Sequence, residues 1–86
     1  MNFLSMSSNN IIKHKLQGMV EELIKQKLPQ TTGFLDDGLL DSLLTIQLID
    51  KLECEFEISI PTSHFTHYNF NSLDAMEHLV RELKDR

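Results

Sequence analysis

Apolar side chains recur at helical spacing in three separate segments of this chain, and polar residues fill the positions between them. The first stripe consists of Ile12, Leu16, Met19, Val20, Leu23 and Ile24. Polar residues at 8–10 can cap the start of this helix, and Pro29 stops it. Lys25 and Lys27 fall in the expected last turn, where the helix dipole favours cations. The pattern therefore predicts a first helix over residues 10–27.

Two further stripes predict the second and third main helices. The second is expected over residues 41–56, with Asp41 as its N-cap and Ser42 in its first turn. Its core face is Thr45, Leu48, Ile49, Leu52 and Phe56. The third begins at residues 71–72, which provide its cap, has Asp74 at the capping-box position and runs to about residue 84. Its stripe is Leu73, Met76, Leu79, Val80 and Leu83.

The segments between these helices predict connections without a sheet. Residues 28–38 contain Pro29 and two glycine turn signals, so we expect a long first loop. Residues 56–61 alternate apolar and polar side chains as a strand does, but the chain has no second strand for pairing, and we interpret residues 57–61 as an extended link. Residues 62–65 are expected to form one short turn of helix.

Together these elements predict an all-α fold: a small four-helix bundle with three main helices, a short one and a long first loop. The 86 residues fit one domain, and 41% hydrophobic residues are typical of a folded globule. We expect a flexible N-terminal leader at residues 1–9 and a single domain at residues 10–86. The sequence contains neither a long apolar run nor the features of a signal peptide, so no membrane span is expected.

The net charge of −5 is concentrated in one segment. Residues 36–57 hold seven of the 13 acidic side chains and a single base, Lys51. Nucleic acid is an unfavourable partner for such a surface, whereas basic protein surfaces are favourable ones. The alternative is an ordinary solvated acidic face. The single cysteine, Cys54, cannot form an internal disulfide, which is typical of the reducing cytoplasm.

The second helix carries apolar residues outside its core face. Leu43 and Ile46 lie away from the core sector, close to Asp50 and Cys54, with Gln47 and Glu53 on either side. Such a group predicts either a docking surface or a chance exposure of apolar side chains, and periodicity alone does not separate the two.

Ser42 also has two interpretations. It is either an ordinary helix-start serine or a point of covalent attachment. The start of a helix has unpaired N–H groups and a partial positive charge, so a phosphate ester is favourable there.

The run D-G-L-L-D-S-L-L-T-I-Q-L-I-D-K-L-E-C-E-F-E-I-S-I-P resembles the acyl carrier protein family, which includes peptidyl and D-alanyl carriers. The shared pattern is an Asp-Ser-Leu triplet that opens an acidic helix, followed by an acidic-Phe pair, an alternating segment and Pro. N-F-N-S-L at residues 69–73 is similar to the start of the family's last helix. The resemblance spans residues 34–83.

The resemblance implies a non-catalytic carrier with 4′-phosphopantetheine, supplied by coenzyme A, on Ser42. The arm ends in a thiol that carries acyl or aminoacyl groups as thioesters. Asp41 and Leu43 match the motif read by a phosphopantetheinyl transferase. The helix positions that face partner enzymes are occupied here by Ile46, Gln47, Asp50 and Glu53.

Departures from the pattern bear on the cargo. Leu44 replaces the usual Asp of fatty-acid carriers, Gln47 a common Glu and Asp50 a common apolar contact. The G-L-L-D-S run is closer to D-alanyl carriers and to stand-alone carriers of specialised pathways. The implied partners are the transferase and either an adenylating enzyme or a ketosynthase or acyltransferase, and the carried group stays open. A monomer is the expected state.

Rival functions find less support in the residues. No G-x-S-x-G elbow surrounds Ser42, which argues against a serine hydrolase. His64 and His67 lack the further ligands that a metal site needs. An unmodified carrier-like bundle that acts only as a protein-binding adaptor would have the same sequence features, so this alternative stays open.

Overall fold

The computed structural model describes residues 8–29 and 33–85, and these residues form a bundle of helices. The helices are α1 (Ser8–Ile24), α2 (Ser42–Phe56), α3 (His67–Phe70) and α4 (Leu73–Lys84), with a 3-10 turn at Thr62–His64 before α3. No strand occurs in the described residues, so the predicted all-α fold is confirmed. Most of the expected leader lies outside the described residues, and residues 8 and 9 belong to α1.

The core lies where α1, α2 and α4 face one another. α1 packs against both α2 and α4, and α3 packs against α4. The buried core side chains are Ile12, Leu16, Val20, Phe34, Leu40, Leu48, Ile49, Leu52, Phe56, Ile60, Phe70, Met76, Leu79, Val80 and Leu83. The predicted stripes supply most of this set, because residues at helical spacing share the face that packs inward.

α1 begins and ends earlier than the pattern predicts. Residues 8–10, expected as caps, lie in the helix itself. The helix ends at Ile24 because Lys25 adopts a left-handed conformation, with φ of 60°. The N–H of Gln26 then donates to the carbonyl of Glu21 over 3.3 Å, the closing bond of a Schellman motif. Lys25 and Lys27 therefore follow the helix, and their prediction as last-turn cations is wrong.

α2 ends at Phe56 in the same way, because the following residue, Glu57, has a φ of 55°. The N–H of Ile58 donates to the carbonyl of Glu53 over 3.2 Å, and the N–H of Ile60 donates to the Glu53 carboxylate over 2.8 Å. Two backbone donors are thereby satisfied without a neighbouring strand. Ile60 is buried and Ile58 half-buried, so the predicted extended link packs along the core.

α3 was not predicted from the sequence. The predicted turn at residues 62–65 is the 3-10 turn, and a separate helical turn follows, capped by the Thr66 hydroxyl. Ser72 caps α4 by accepting the N–H of Ala75 over 3.0 Å. Asp74 forms an ion pair with Lys13 of α1. Asn71 is the residue after α3 and its side chain is used elsewhere, so its prediction as a cap of α4 is wrong.

Candidate functional site

Ser42 is the first residue of α2, and its side chain is exposed. Asp41 precedes it in extended conformation and accepts the N–H of Leu44 through its carboxylate over 2.8 Å. The predicted N-cap is therefore confirmed. The cap uses the side chain before Ser42, so the Ser42 hydroxyl stands at the positive end of the α2 dipole without a capping role of its own.

The loop before α2 is anchored at two points in the core. Phe34 and Leu40 are both almost fully buried, and the N–H of Leu40 donates to the carbonyl of Phe34 over 3.1 Å. Gly38, with φ of 78°, makes the turn between them, a conformation that favours glycine. Because Leu40 is fixed in the core, the position of Ser42, two residues later, is restricted. The sequence did not predict that Leu40 anchors the loop, because the pattern does not show which of Leu39 and Leu40 is buried.

An open groove with a volume of about 620 Å³ lies beside Ser42. α2 forms one wall, with Thr45, Ile46 and Ile49, and the segment around α3 forms the other. The residues of that second wall are Phe65, Thr66, His67 and Phe70. The sequence did not predict that these four residues form a groove wall, since only folding brings the segment opposite α2.

Thr45 provides a buried polar atom on the α2 wall of this groove. Its hydroxyl oxygen is buried and has no hydrogen-bond partner in the described structure. The periodicity placed Thr45 on the core face, whereas the structure places it one turn below Ser42 along the groove wall. The exposed Ser42 at the helix start, the groove next to it and the unpartnered Thr45 hydroxyl on the groove wall would together fit a long, flexible group attached to Ser42.

The outer face of α2 presents most of the residues predicted for docking. Leu43 and Ile46 are 64% and 61% exposed, which is high for large apolar side chains. Gln47 and Asp50 are exposed beside them. Phe65, on the far wall of the groove, adds a further exposed apolar side chain at 42%. We call Leu43, Ile46, Gln47, Asp50 and Phe65 the outer face.

Glu53 differs from the other predicted docking residues. It is half-buried, and its carboxylate accepts the Ile60 N–H. Lys51, the one base of the acidic segment, pairs with Glu22 of α1 over 3.3 Å. The exposed carboxylate of the outer face is therefore that of Asp50.

The neighbours of His64 and His67 are not those of a metal site. His67 pairs with Asp36 over 2.9 Å, and the His64 ring lies 3.3 Å from the Ser63 hydroxyl. Over the part of the chain that the structure describes, no group of three or more His, Cys, Asp or Glu side chains is arranged to hold a metal ion. In the same part of the chain, no helix is both long and apolar enough to cross a membrane.

Residues 14–80 match the family of the phosphopantetheine attachment site. This match covers most of the chain, which therefore belongs to that family: it is a phosphopantetheine-dependent carrier protein and not an enzyme. Its cofactor is covalently bound 4′-phosphopantetheine.

Several similar proteins are D-alanyl carrier proteins. The one from Streptococcus suis (strain 05ZYH33) is 31% identical over 74 residues, which cover 84% of this chain and 94% of that protein. The one from Streptococcus sanguinis (strain SK36) is 32% identical over 76 residues, which cover 86% and 96%. The one from Streptococcus uberis (strain ATCC BAA-854 / 0140J) is 42% identical over 50 residues, which cover 58% and 63%.

Proposed function

We propose that Ser42 is the attachment residue, and that the chain carries an aminoacyl or acyl group on the arm fixed there. In the attachment reaction, the Ser42 oxygen forms a bond to the β-phosphorus of coenzyme A. The bond to the adenosine bisphosphate half breaks, and the hydroxyl proton passes to the transferase. The arm supplies a terminal thiol, on which cargo is held as a thioester. The observation that carries the proposal is the exposure of Ser42 at a capped helix start beside a groove.

The residues around Ser42 have separate roles in this proposal. Asp41 holds the first turn of α2 in shape through its bond to the Leu44 N–H, and the transferase reads the resulting Asp-Ser-Leu surface. Leu43 and Ile46 supply exposed apolar contacts, and Gln47 and Asp50 the polar rim for partner enzymes. Glu53 lies at the edge of this surface, and its carboxylate acts by holding the backbone N–H of Ile60.

We infer that the cargo is an aminoacyl group of the D-alanyl type. The similarity to D-alanyl carrier proteins extends over most of the chain, and Leu44 departs from the fatty-acid pattern. The loading partner is then an adenylating enzyme, which activates the amino acid before transfer to the thiol. A ketosynthase or an acyltransferase is the partner if the cargo is instead an acyl chain. The carrier works as a monomer in the cytoplasm, where a free thiol stays reduced.

Intact mass distinguishes a carrier from an unmodified adaptor. The chain is incubated with coenzyme A and a broad-specificity phosphopantetheinyl transferase. The wild type is expected to gain one phosphopantetheine group and Ser42→Ala none, because the attacking oxygen is lost. Ser63→Ala, which removes another exposed hydroxyl, is the matched control and should gain the group. A wild type that stays unmodified with several transferases supports the adaptor function instead.

Loading of the modified chain identifies the cargo class. The holo-protein is offered D-alanine with ATP and a D-alanine-activating enzyme, and in parallel L-alanine, or a fatty acid with an acyl-activating enzyme. A mass gain with D-alanine that hydroxylamine reverses supports the proposed cargo, since hydroxylamine cleaves thioesters. Loading by the fatty acid alone would replace the aminoacyl proposal with an acyl one and would leave the role of Ser42 unchanged.

A further inference from the structure

Asn71 connects the junction between α3 and α4 to the loop before Ser42. Its side-chain oxygen accepts the N–H of Leu35 over 2.9 Å and the N–H of Asp36 over 3.2 Å. Its side-chain nitrogen donates to the Asp36 carboxylate over 3.0 Å. Its backbone carbonyl accepts the N–H of Phe34 over 2.8 Å. One residue therefore holds three consecutive backbone donors of the loop.

The packing around the Asn71 side chain leaves little freedom. A Cβ placed on Gly33 would collide with the side-chain amide of Asn71, so the loop backbone approaches this amide more closely than a larger residue allows. Asp36, whose one carboxylate oxygen accepts from Asn71, pairs through the other with His67 over 2.9 Å. The loop is thus tied to both ends of α3.

These ties act on the position of Ser42. Phe34 and Leu40 close the loop through their backbone bond, and Ser42 follows two residues later. The other end of the tie, α3, forms the far wall of the groove that Ser42 borders. The Asn71 contacts therefore set the distance between the Ser42 end of α2 and the opposite wall.

We propose that Asn71 is a positioning residue for the attachment reaction, because it holds the loop that presents Ser42 to the transferase. The proposal rests on the assignment of Ser42 above. Asn71 lies outside the groove and the outer face, so it acts through the loop. A reaction that requires alignment of one hydroxyl with a bound phosphate is sensitive to such displacement.

Asn69 offers a matched control. It is also half-buried, belongs to the same segment and donates a side-chain bond over 2.9 Å, but to the carbonyl of His64. Loss of the Asn69 amide removes one internal bond without touching the loop. Both variants are compared at a temperature at which they are folded, so a lower kcat of Asn71→Ala alone reports a positioning role and not a loss of stability.

The test measures kcat and KM for phosphopantetheine transfer well below the melting temperature. Asn71→Ala is expected to lower kcat about tenfold with little change in KM, because the outer face is intact. The kcat of Asn69→Ala should stay within about twofold of the wild-type kcat. Faster amide exchange at Leu35 and Asp36 in Asn71→Ala should accompany the loss.

A charge exchange tests the contact itself. Asn71→Asp places two carboxylates together and should slow transfer more than Asp36→Asn does, because Asp36→Asn keeps a side-chain oxygen that accepts from Asn71 and loses only the charge of the pair with His67. The double variant Asp36→Asn with Asn71→Asp restores one donor and one acceptor and is expected to recover most of the kcat. The comparison of Asn71→Asp with the double variant still tests the proposal if Asn71→Ala does not fold.

The outcomes separate this inference from the proposed function. An unmodified wild type refutes the assignment of Ser42. A wild type that is modified, with Asn71 variants reacting at its rate or losing the same activity as Asn69→Ala, refutes the positioning role alone. Failure of the double variant to recover over Asn71→Asp also counts against it.

Discussion

Glu53 and Asp50 lie one turn apart on α2, yet their carboxylates have different tasks. The Glu53 carboxylate is half-buried and accepts the Ile60 N–H, whereas that of Asp50 is exposed on the outer face. The sequence grouped them because both lie near Ile46 on the helix surface. Only the fold of residues 57–60 back over α2 brings a backbone donor to Glu53. At the scale of single residues, position on a helix therefore predicts exposure better than it predicts partners.

Glu53→Ala is expected to destabilise the protein by about 1–2 kcal/mol, because it leaves the half-buried Ile60 N–H without an acceptor. Asp50→Ala should change stability by less than about 0.5 kcal/mol, as is usual for an exposed side chain. Urea unfolding of the two variants measures both values. Equal stability of the two variants would show that the Glu53 bond contributes nothing.

Asp50→Lys is expected to slow modification by the transferase while leaving stability unchanged. The reason is that exposed charges steer association, and one such pair contributes about 0.5–1 kcal/mol, or roughly two- to fivefold in kcat/KM. The effect should shrink as salt is added. Asp85→Lys makes the same charge change at the far end of α4 and is the control. Equal rates for Asp50→Lys and wild type at low salt would contradict the docking role of Asp50.

At the scale of elements, each of the two helices before the 3-10 turn is followed by a non-glycine residue with positive φ. Lys25 and Glu57 occupy this position after α1 and α2. An L side chain with a Cβ is strained there, whereas glycine is not. The end of α1 could not be predicted from composition, since glycine is the usual signal and is missing there, whereas the predicted end of α2 at Phe56 is confirmed. The stripes and the Asp41 cap, by contrast, were sufficient to place α2 within one residue of its observed start.

Glu57→Gly is expected to stabilise the protein by about 0.5–1 kcal/mol, because removal of the Cβ relieves the left-handed conformation. Gly38→Ala is the converse change: φ is positive there and no atom crowds the new Cβ, so only the backbone cost of about 1 kcal/mol applies. Thermal unfolding measures both. A destabilised Glu57→Gly variant would show that its side chain contributes more than its backbone costs.

The turn after α1 depends on the ionised form of Glu21. Its carboxylate accepts the N–H of Leu28 over 2.8 Å, and this bond, helped by Gln17, lowers the pKa of Glu21 below its ordinary value of 4.5. A lowered pKa in the folded state stabilises the protein above the unfolded-state pKa, and this contribution is lost as the pH falls through the folded-state pKa.

Amide exchange at Leu28 should therefore become faster as the pH is lowered below 4.5, relative to the intrinsic rate at each pH. Glu21→Gln keeps an acceptor oxygen but does not titrate, so its Leu28 protection should be independent of pH in this range. Wild-type protection that stays constant from pH 5 to pH 3, a window set roughly by the ordinary carboxyl range, would contradict this role of Glu21.

At the scale of the whole molecule, the proposed attachment residue and the contact of α2 with the last turn of α4 lie at opposite ends of α2. Ser42 begins α2, and Phe56 ends it beside the last turn of α4, where Lys84 reaches the Phe56 carbonyl over 3.5 Å. A helix of this length spans roughly 22 Å. Changes in the α1–α4 core at the far end should therefore alter stability without altering how Ser42 is presented.

The sequence predicted the features of this molecule that depend on local patterns and missed those that depend on contacts between distant segments. The three stripes define the core because burial follows helical spacing, and the Asp-Ser-Leu triplet at the start of α2 indicates the proposed attachment residue through its resemblance to the acyl carrier family. The second wall of the groove, including Phe65 and His67, and the Asn71 contacts depend on how distant segments meet. No local pattern encodes those contacts, so α3 and its role were not predicted.

The most direct test of the account locates the attached group by fragmentation mass spectrometry of the chain after reaction with coenzyme A and a phosphopantetheinyl transferase. We expect the phosphopantetheine on Ser42 and on no other serine, since Ser42 has its exposed hydroxyl at the capped start of α2. A group found on a different serine, or a chain that reacts fully as Ser42→Ala, would contradict the central claim.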